Sequence, residues 1–201
     1  MHEIHHTVAE LERFFDEVAR EFSAYQRAAQ LPCPSECGQC CRHPDASCSP
    51  LEMYPLALAM IRDGSAEEFL ERLVAGPTDL CPLFVPHPQD QTKGRCSHYA
   101  YRPLLCRMFG VAPRLKKQTI DWSVCRVLKK EHPSWNENLA SLELGPRMES
   151  AMERLLHWDP KAHSEQQRIS LALRVALEKL LLATHLDNAQ DAENNKEFGK
   201  N

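Results

Sequence analysis

Apolar residues return at alternating steps of three and four along residues 7–29, where Val8, Leu11, Phe15, Val18, Phe22, Tyr25 and Ala29 form one stripe. That period predicts an amphipathic helix with its stripe packed on a core, and Thr7 with Glu10 makes a capping box at its start. A second helix is expected after Ser49-Pro50-Leu51-Glu52, which reads as cap, first-turn proline and acidic third position, running to about Arg62 with Gly64 as its stop. Pro55 would kink that helix or move its true start. Ser65 with Glu68 opens a third helix that carries Phe69, Leu70, Leu73 and Val74 inward.

The C-terminal third returns to the helical period. Met148, Ala151, Met152, Leu155 and Leu156 define one apolar face, and Ser164 with Gln167 caps a further helix containing Ile169, Leu173, Ala176, Leu177 and Leu180. Arg174, Glu178 and Lys179 keep that helix from being a membrane span. From about Asn188 the chain is polar without an apolar repeat, so residues 188–201 are expected to be a disordered tail. In the middle, Cys81-Pro-Leu-Phe-Val and the segment from Arg95 to Tyr99 predict two short strands joined by the turn-rich stretch from His87 to Gly94, a small hairpin with a cysteine on each arm. Between Cys106 and Cys125 the reading is a proline-bearing, partly basic loop. The fold class expected is mainly α with a small β-hairpin: one cysteine-rich metal-binding domain over residues 1–187, motif core 33–125, flanked by N- and C-terminal helices.

Composition changes this picture at one point, the nine cysteines among 201 residues. The N-terminus lacks the basic patch and apolar run of a secretory signal, and no stretch approaches eighteen uncharged apolar residues, so a cytoplasmic protein without a membrane partner is expected. A reducing compartment disfavours disulfides, the count is odd, and Cys40 and Cys41 are too close in sequence for an ordinary bridge. Thiolate chemistry or metal ligation is the better reading. The net charge of −4 gives no reason to expect nucleic acid. The locally basic run of Arg114, Lys116, Lys117, Arg126, Lys129 and Lys130 reads as a solvated face, because aromatics are not interleaved with it. His2, His5 and His6 lie on a terminus, which seldom holds a native site.

Four thiols fall within nine residues, Cys33, Cys37, Cys40 and Cys41, and Cys81, Cys96, Cys106 and Cys125 follow singly. Those eight, excluding Cys48, would suit two tetrahedral ions, whereas four would hold one iron–sulfur cluster and leave the others structural. Pro34 and Gly38 argue against a regular helix in the early loop, yet Cys37, Cys40 and Cys41 sit at helical spacing, so one tight turn could point several thiols inward. Neighbouring side chains diverge, so Cys40 and Cys41 more naturally address two irons of a cluster or two separate ions, unless one of them is merely buried. Arg42, Arg95, Arg107 and Arg126 each adjoin a cysteine and are candidates to offset a negative thiolate site. His43 and His98 are reserve ligands.

The order Cys33-x3-Cys37-Gly-x-Cys40-Cys41, Cys81-Pro-Leu-Phe, then Cys96-x2-Tyr99-x2-Arg102-Pro103-x2-Cys106-Arg107 resembles the YkgJ-type cysteine-cluster family, described as a zinc- or iron-chelating domain. The resemblance covers roughly residues 33 to 107; Cys48 lies outside the motif and Cys125 does not align to it. It implies binding of metal or a cluster, without an activity shared by all members. One relative in that family, flagellin lysine-N-methylase, is a larger enzyme thought to pair an iron–sulfur cluster with S-adenosylmethionine, and this chain is similar only to its cysteine-cluster region. Cys33-x3-Cys37-x2-Cys40 also has the spacing of the radical S-adenosylmethionine motif, although that superfamily sets it on a barrel of alternating strands and helices, an alternation missing here. The leading expectation is a protein whose thiolates hold an iron–sulfur cluster, preferred, or zinc. The alternatives are an S-adenosylmethionine-dependent methyltransferase-like enzyme acting on a protein side chain, and a thiol redox or metal-trafficking protein suggested by the vicinal pair.

Overall fold

The computed structural model describes residues 2–198 apart from 44, 77–79, 117, 118, 141, 143 and 144; for 114–116, 119, 120 and 191–198 it describes the backbone alone. Helix α1 (His2–Ala28) buries Val8, Leu11, Phe14, Phe15, Val18, Phe22 and Tyr25, and Ala29 just beyond it is buried too. The stripe is therefore the packed face. The helix starts five residues ahead of the capping box expected at Thr7, because an existing helix extends cheaply by one turn and Ile4 gains apolar contact there.

After the cysteine loop come strand β1 (Ser47–Cys48), a 3-10 turn over Leu51–Met53 and helix α2 (Tyr54–Asp63). Pro55 sits in the first turn of α2, so it moves the start rather than kinking the helix, and Gly64 ends it at φ 79° in the left-handed region. Helix α3 (Ala66–Val74) begins where Ser65 predicts, but the Ser65 hydroxyl donates to the Asp63 carboxylate at 2.6 Å instead of capping, and Val74 faces solvent. The expected hairpin is present with shifted strands: β2 (Phe84–His87) pairs antiparallel with β3 (Asp90–Cys96), Phe84 opposite Cys96. The stretch read as a turn from His87 to Gly94 is mostly strand, and Tyr99–Tyr101 is a 3-10 turn.

Helix α4 (Leu104–Arg107) leads into a second hairpin, β4 (Val111–Lys116) with β5 (Thr119–Val124), where a loop was expected. Its signal is the alternation of Val111, Pro113 and Leu115 and of Ile120, Trp122 and Val124, which the proline and the basic residues obscure. Helices α5 (Arg126–Glu131), α6 (Trp135–Ala140) and α7 (Met148–Leu155) follow. Residues Gln167–Arg168 form β6 on β1 rather than a helix cap, and α8 runs Ile169–Phe198. The polar stretch from Asn188 is thus helical to Phe198, since alanine, glutamate and glutamine favour continuing a helix already anchored upstream. Among the described residues no helix is long and apolar enough to cross a membrane. Of the basic run, Lys129 and Lys130 are exposed on α5, while Lys117 lies outside the described residues.

Two apolar clusters result. One gathers most of the α1 stripe with Leu104, Val111, Val124, Leu128, Leu139 and Leu155; the other gathers α2, Phe69 and the inner face of α8, including Ile169, Leu173 and Leu177. The buried carboxylate of Glu52 ties the segments between them. It accepts the Ser49 N–H at 2.7 Å, the Ser49 hydroxyl at 3.1 Å and the Leu104 N–H at 3.0 Å, and Gln166 reaches it at 3.4 Å. Burial nevertheless holds its acidity weaker than that of an ordinary carboxyl group. Glu52→Ala would leave two main-chain N–H groups unpaired in the interior. We expect a loss of about 2–4 kcal/mol, read as a lower urea midpoint with an unchanged slope.

Candidate metal centre

The early cysteine loop is clamped to the first hairpin by main-chain groups. The Gly94 N–H donates to the Glu36 carbonyl at 2.9 Å and the Cys81 N–H to the Cys41 carbonyl at 3.0 Å. The side chains of Gln39 and Arg42 donate to the carbonyls of Thr92 and Gln91 at 2.9 and 2.6 Å. Two glycines permit this approach. Gly38 sits at φ 59°, and a Cβ there would stand 2.7 Å from the Gly94 oxygen and 2.7 Å from the Phe84 ring. The loop then closes as a 3-10 turn over Gln39–Arg42, the tight turn expected from Cys37, Cys40 and Cys41.

This clamp brings sulfurs from separate segments to shared cavities. An open cavity of about 270 Å³ is lined by Cys33, Cys37, Cys40, Cys41, Cys96 and Cys106. A far smaller one, about 20 Å³, is lined by Cys40, Cys41, Cys81, Cys96 and Cys106. Seven of the eight candidate ligands therefore line one cavity or the other. The eighth, Cys125, precedes α5 and lines neither, although its charge acts on Cys33 and Cys37. Cys48 is wholly buried on β1 and lines neither. All nine thiols are unpaired. Among the described residues no group of three or more His, Cys, Asp or Glu side chains is placed to hold one metal ion. A larger groove of about 920 Å³ between α3 and the start of α8 has Cys81 as its only lining thiol.

Burial makes most of these thiols poor acids. Desolvation pushes Cys33 and Cys81 up to about 11, and raises Cys37, Cys96 and Cys106 as well. Cys40 is the exception: the neighbouring Cys41 thiol lowers it, and Arg102 and main-chain N–H groups add to this against burial. Cys41 is pushed upward in turn. Both residues lie on the 3-10 turn and both line the two cavities.

A further cation at the site, Arg102, adjoins no cysteine in the sequence. It lines both cavities, donates through Nη1 to the Cys106 carbonyl at 2.9 Å and through Nε to the Tyr99 carbonyl at 3.1 Å, and lies 3.5 Å above the Tyr99 ring centre. Its position in the Tyr99-x2-Arg102-Pro103-x2-Cys106 motif was the available signal. Arg107 lines the open cavity but spends its donors on the carbonyls of Arg102, Ala100 and Phe15, which fasten α4 to α1. Arg95 is exposed at the rim of the open cavity, Arg42 serves the clamp, and Arg126 is exposed and lines neither cavity. His43 and His98 line neither cavity; the His43 ring accepts the Asp45 N–H at 3.3 Å and the His98 ring lies 2.8 Å from the Ser97 hydroxyl.

A family model described as CxxCxxCC, putative zinc- or iron-chelating domain, matches residues 32–132, half of the chain. No curated protein and no solved structure matches it.

Gly38→Ala should lift the cysteine loop off Gly94 and Phe84. We expect about 10–100-fold weaker metal binding in chelator competition, as for other groups that orient ligands. The raised thiols must lose protons to become ligands, so affinity should increase as pH rises from 6.5 to 8, about tenfold per unit for each proton displaced. Chelator competition at several pH values checks this, and a pH-independent affinity would show thiols already ionised before metal arrives.

Proposed function

We propose, from the premise that the chain belongs to the CxxCxxCC family of zinc- or iron-chelating domains, that its thiolates bind an iron–sulfur cluster in preference to zinc alone. The observation that carries this reading is the meeting of loop, hairpin and α4 cysteines around one open cavity. Its volume of about 270 Å³ exceeds what one ion fills. A cluster offers several irons, so that separated sulfurs can each take one. Cys33, Cys37, Cys40, Cys41, Cys81, Cys96, Cys106 and Cys125 supply the donors, and Arg102 offsets their charge.

A methyl-transfer role has less behind it. The strands described form three separate antiparallel pairs, with no parallel barrel to carry the three-thiol spacing of Cys33, Cys37 and Cys40. The vicinal pair, with Cys40 made the more acidic of the two by its neighbour, is the observation in favour of the thiol redox or metal-trafficking reading.

Purification without oxygen, followed by elemental and sulfide analysis with an absorption spectrum, tests the proposal. Stoichiometric iron and sulfide with visible thiolate-to-iron absorption is expected. Colourless protein with stoichiometric zinc would overturn the cluster in favour of zinc, and protein that takes up neither metal would end the chelation reading.

A further inference from the structure

Helix α8 is apolar on its outer face as well as its inner one. At about 100° per residue, Leu171, Val175, Glu178, Leu182 and Leu186 fall on one side of the helix, opposite the side that buries Leu173, Ala176, Leu177 and Leu180. Leu171 is 45% exposed, Leu182 61% and Leu186 60%, and no described side chain of α8 beyond Leu180 is buried. Leucines gathered on one exposed face mark a contact surface. Toward the start of α8 this face runs into the groove of about 920 Å³ beside α3, whose apolar lining includes Phe69, Leu73 and Leu171. Arg72, Arg168 and Arg174 line the same groove, and among the described residues no carboxylate does. Arg72 lies 4.7 Å from the Phe69 ring centre, and Arg174 holds Glu178 at 2.8 Å. At the far end of α8 the charge reverses, with Asp187, Asp191, Glu193 and Glu197 against the single Lys196.

We propose that this surface binds a second copy of the chain, the two α8 helices lying antiparallel about a twofold axis. The occupant of such a face must be apolar along its middle and acidic where it meets the arginine-lined groove, and α8 itself meets both conditions. Its self-complementarity shows in the spacing. In an antiparallel pair centred between Glu178 and Lys179, Leu171 stands across from Leu186 of the second copy, Val175 across from its Leu182, and Glu178 across from its Lys179. Every such pairing repeats when the copies are exchanged, as a closed twofold interface requires. The end of each α8 then runs into the groove beside α3 of the other copy. Glu193 and Glu197 sit on the same helical face as Leu186, so they arrive where Arg72 and Arg168 lie. Burial of the leucines drives association, and the opposite charges fix its direction, because a parallel pair would set acidic end against acidic end. None of these residues lines either cysteine cavity, so the interface stands independently of metal binding.

The test is sedimentation velocity of the full-length chain over a range of concentrations, with reductant present so that no disulfide links the copies. The double variant Leu182→Glu, Leu186→Glu runs alongside, since both positions are exposed in the single chain. A dimer is expected for the native chain and a monomer for the variant, with matching circular dichroism. A native chain that stays monomeric throughout overturns the proposal, and if that monomer binds a synthetic acidic amphipathic helix the groove belongs to a different protein. A dimer that survives in the leucine variant overturns it too, by placing the interface elsewhere. Charge reversal tests the direction. Arg72→Glu with Arg168→Glu in one chain, and Glu193→Lys with Glu197→Lys in another, should each weaken self-association about tenfold, and mixing the two chains should restore it. A mixture that associates no better than its separate components overturns the antiparallel pairing. Should the leucine variant not fold, this mixing experiment decides the matter.

Discussion

The docking of the early cysteine loop onto the first hairpin is the contact on which the rest of the site depends. Four hydrogen bonds make it, at Glu36–Gly94, Cys41–Cys81, Gln39–Thr92 and Arg42–Gln91. Each contributes on the order of 1 kcal/mol net, and together they choose the geometry in which the cysteine loop meets the hairpin.

Electrostatics points the same way. Apolar walls and neighbouring sulfurs keep most thiols protonated, so the protein carries little of the repulsion that a cage of thiolates would impose before a cation arrives. Arg102 is retained beside the sulfurs because Pro103 turns the chain and Tyr99 gives its guanidinium a ring to lie on. Arg107, only five residues on, is drawn away by three carbonyls and acts as a strut between α4 and α1.

The thiols also sit at a seam. One apolar cluster belongs to α1 and the segments after α4, the other to α2, α3 and α8, and the cysteine-bearing loop, hairpin base and α4 lie where these meet. Glu52 crosses the same seam, joining the entry to α2 with the start of α4 and the approach to α8. A site at such a junction reports on the docking of both halves, and the halves in turn fix the spacing of its ligands.

Much of this was readable from residues alone. The stripe of α1 and the inner face of α8 follow from apolar spacing, because a helix buries whatever returns every three or four positions. The order of Cys33 to Cys41, Cys81, Cys96 and Cys106 sufficed for the family and for chelation, because soft donors in that number have few other uses in one domain. What local pattern could not supply was anything settled by partners distant in the chain. The β4–β5 pairing, the failure of Ser65 and Ser164 to cap, and the choice of Arg102 over Arg107 each depended on which acceptor or strand lay nearby after folding. So did the gathering of thiols around a wide and a narrow cavity: spacing lists the donors, but only packing decides which of them share a wall.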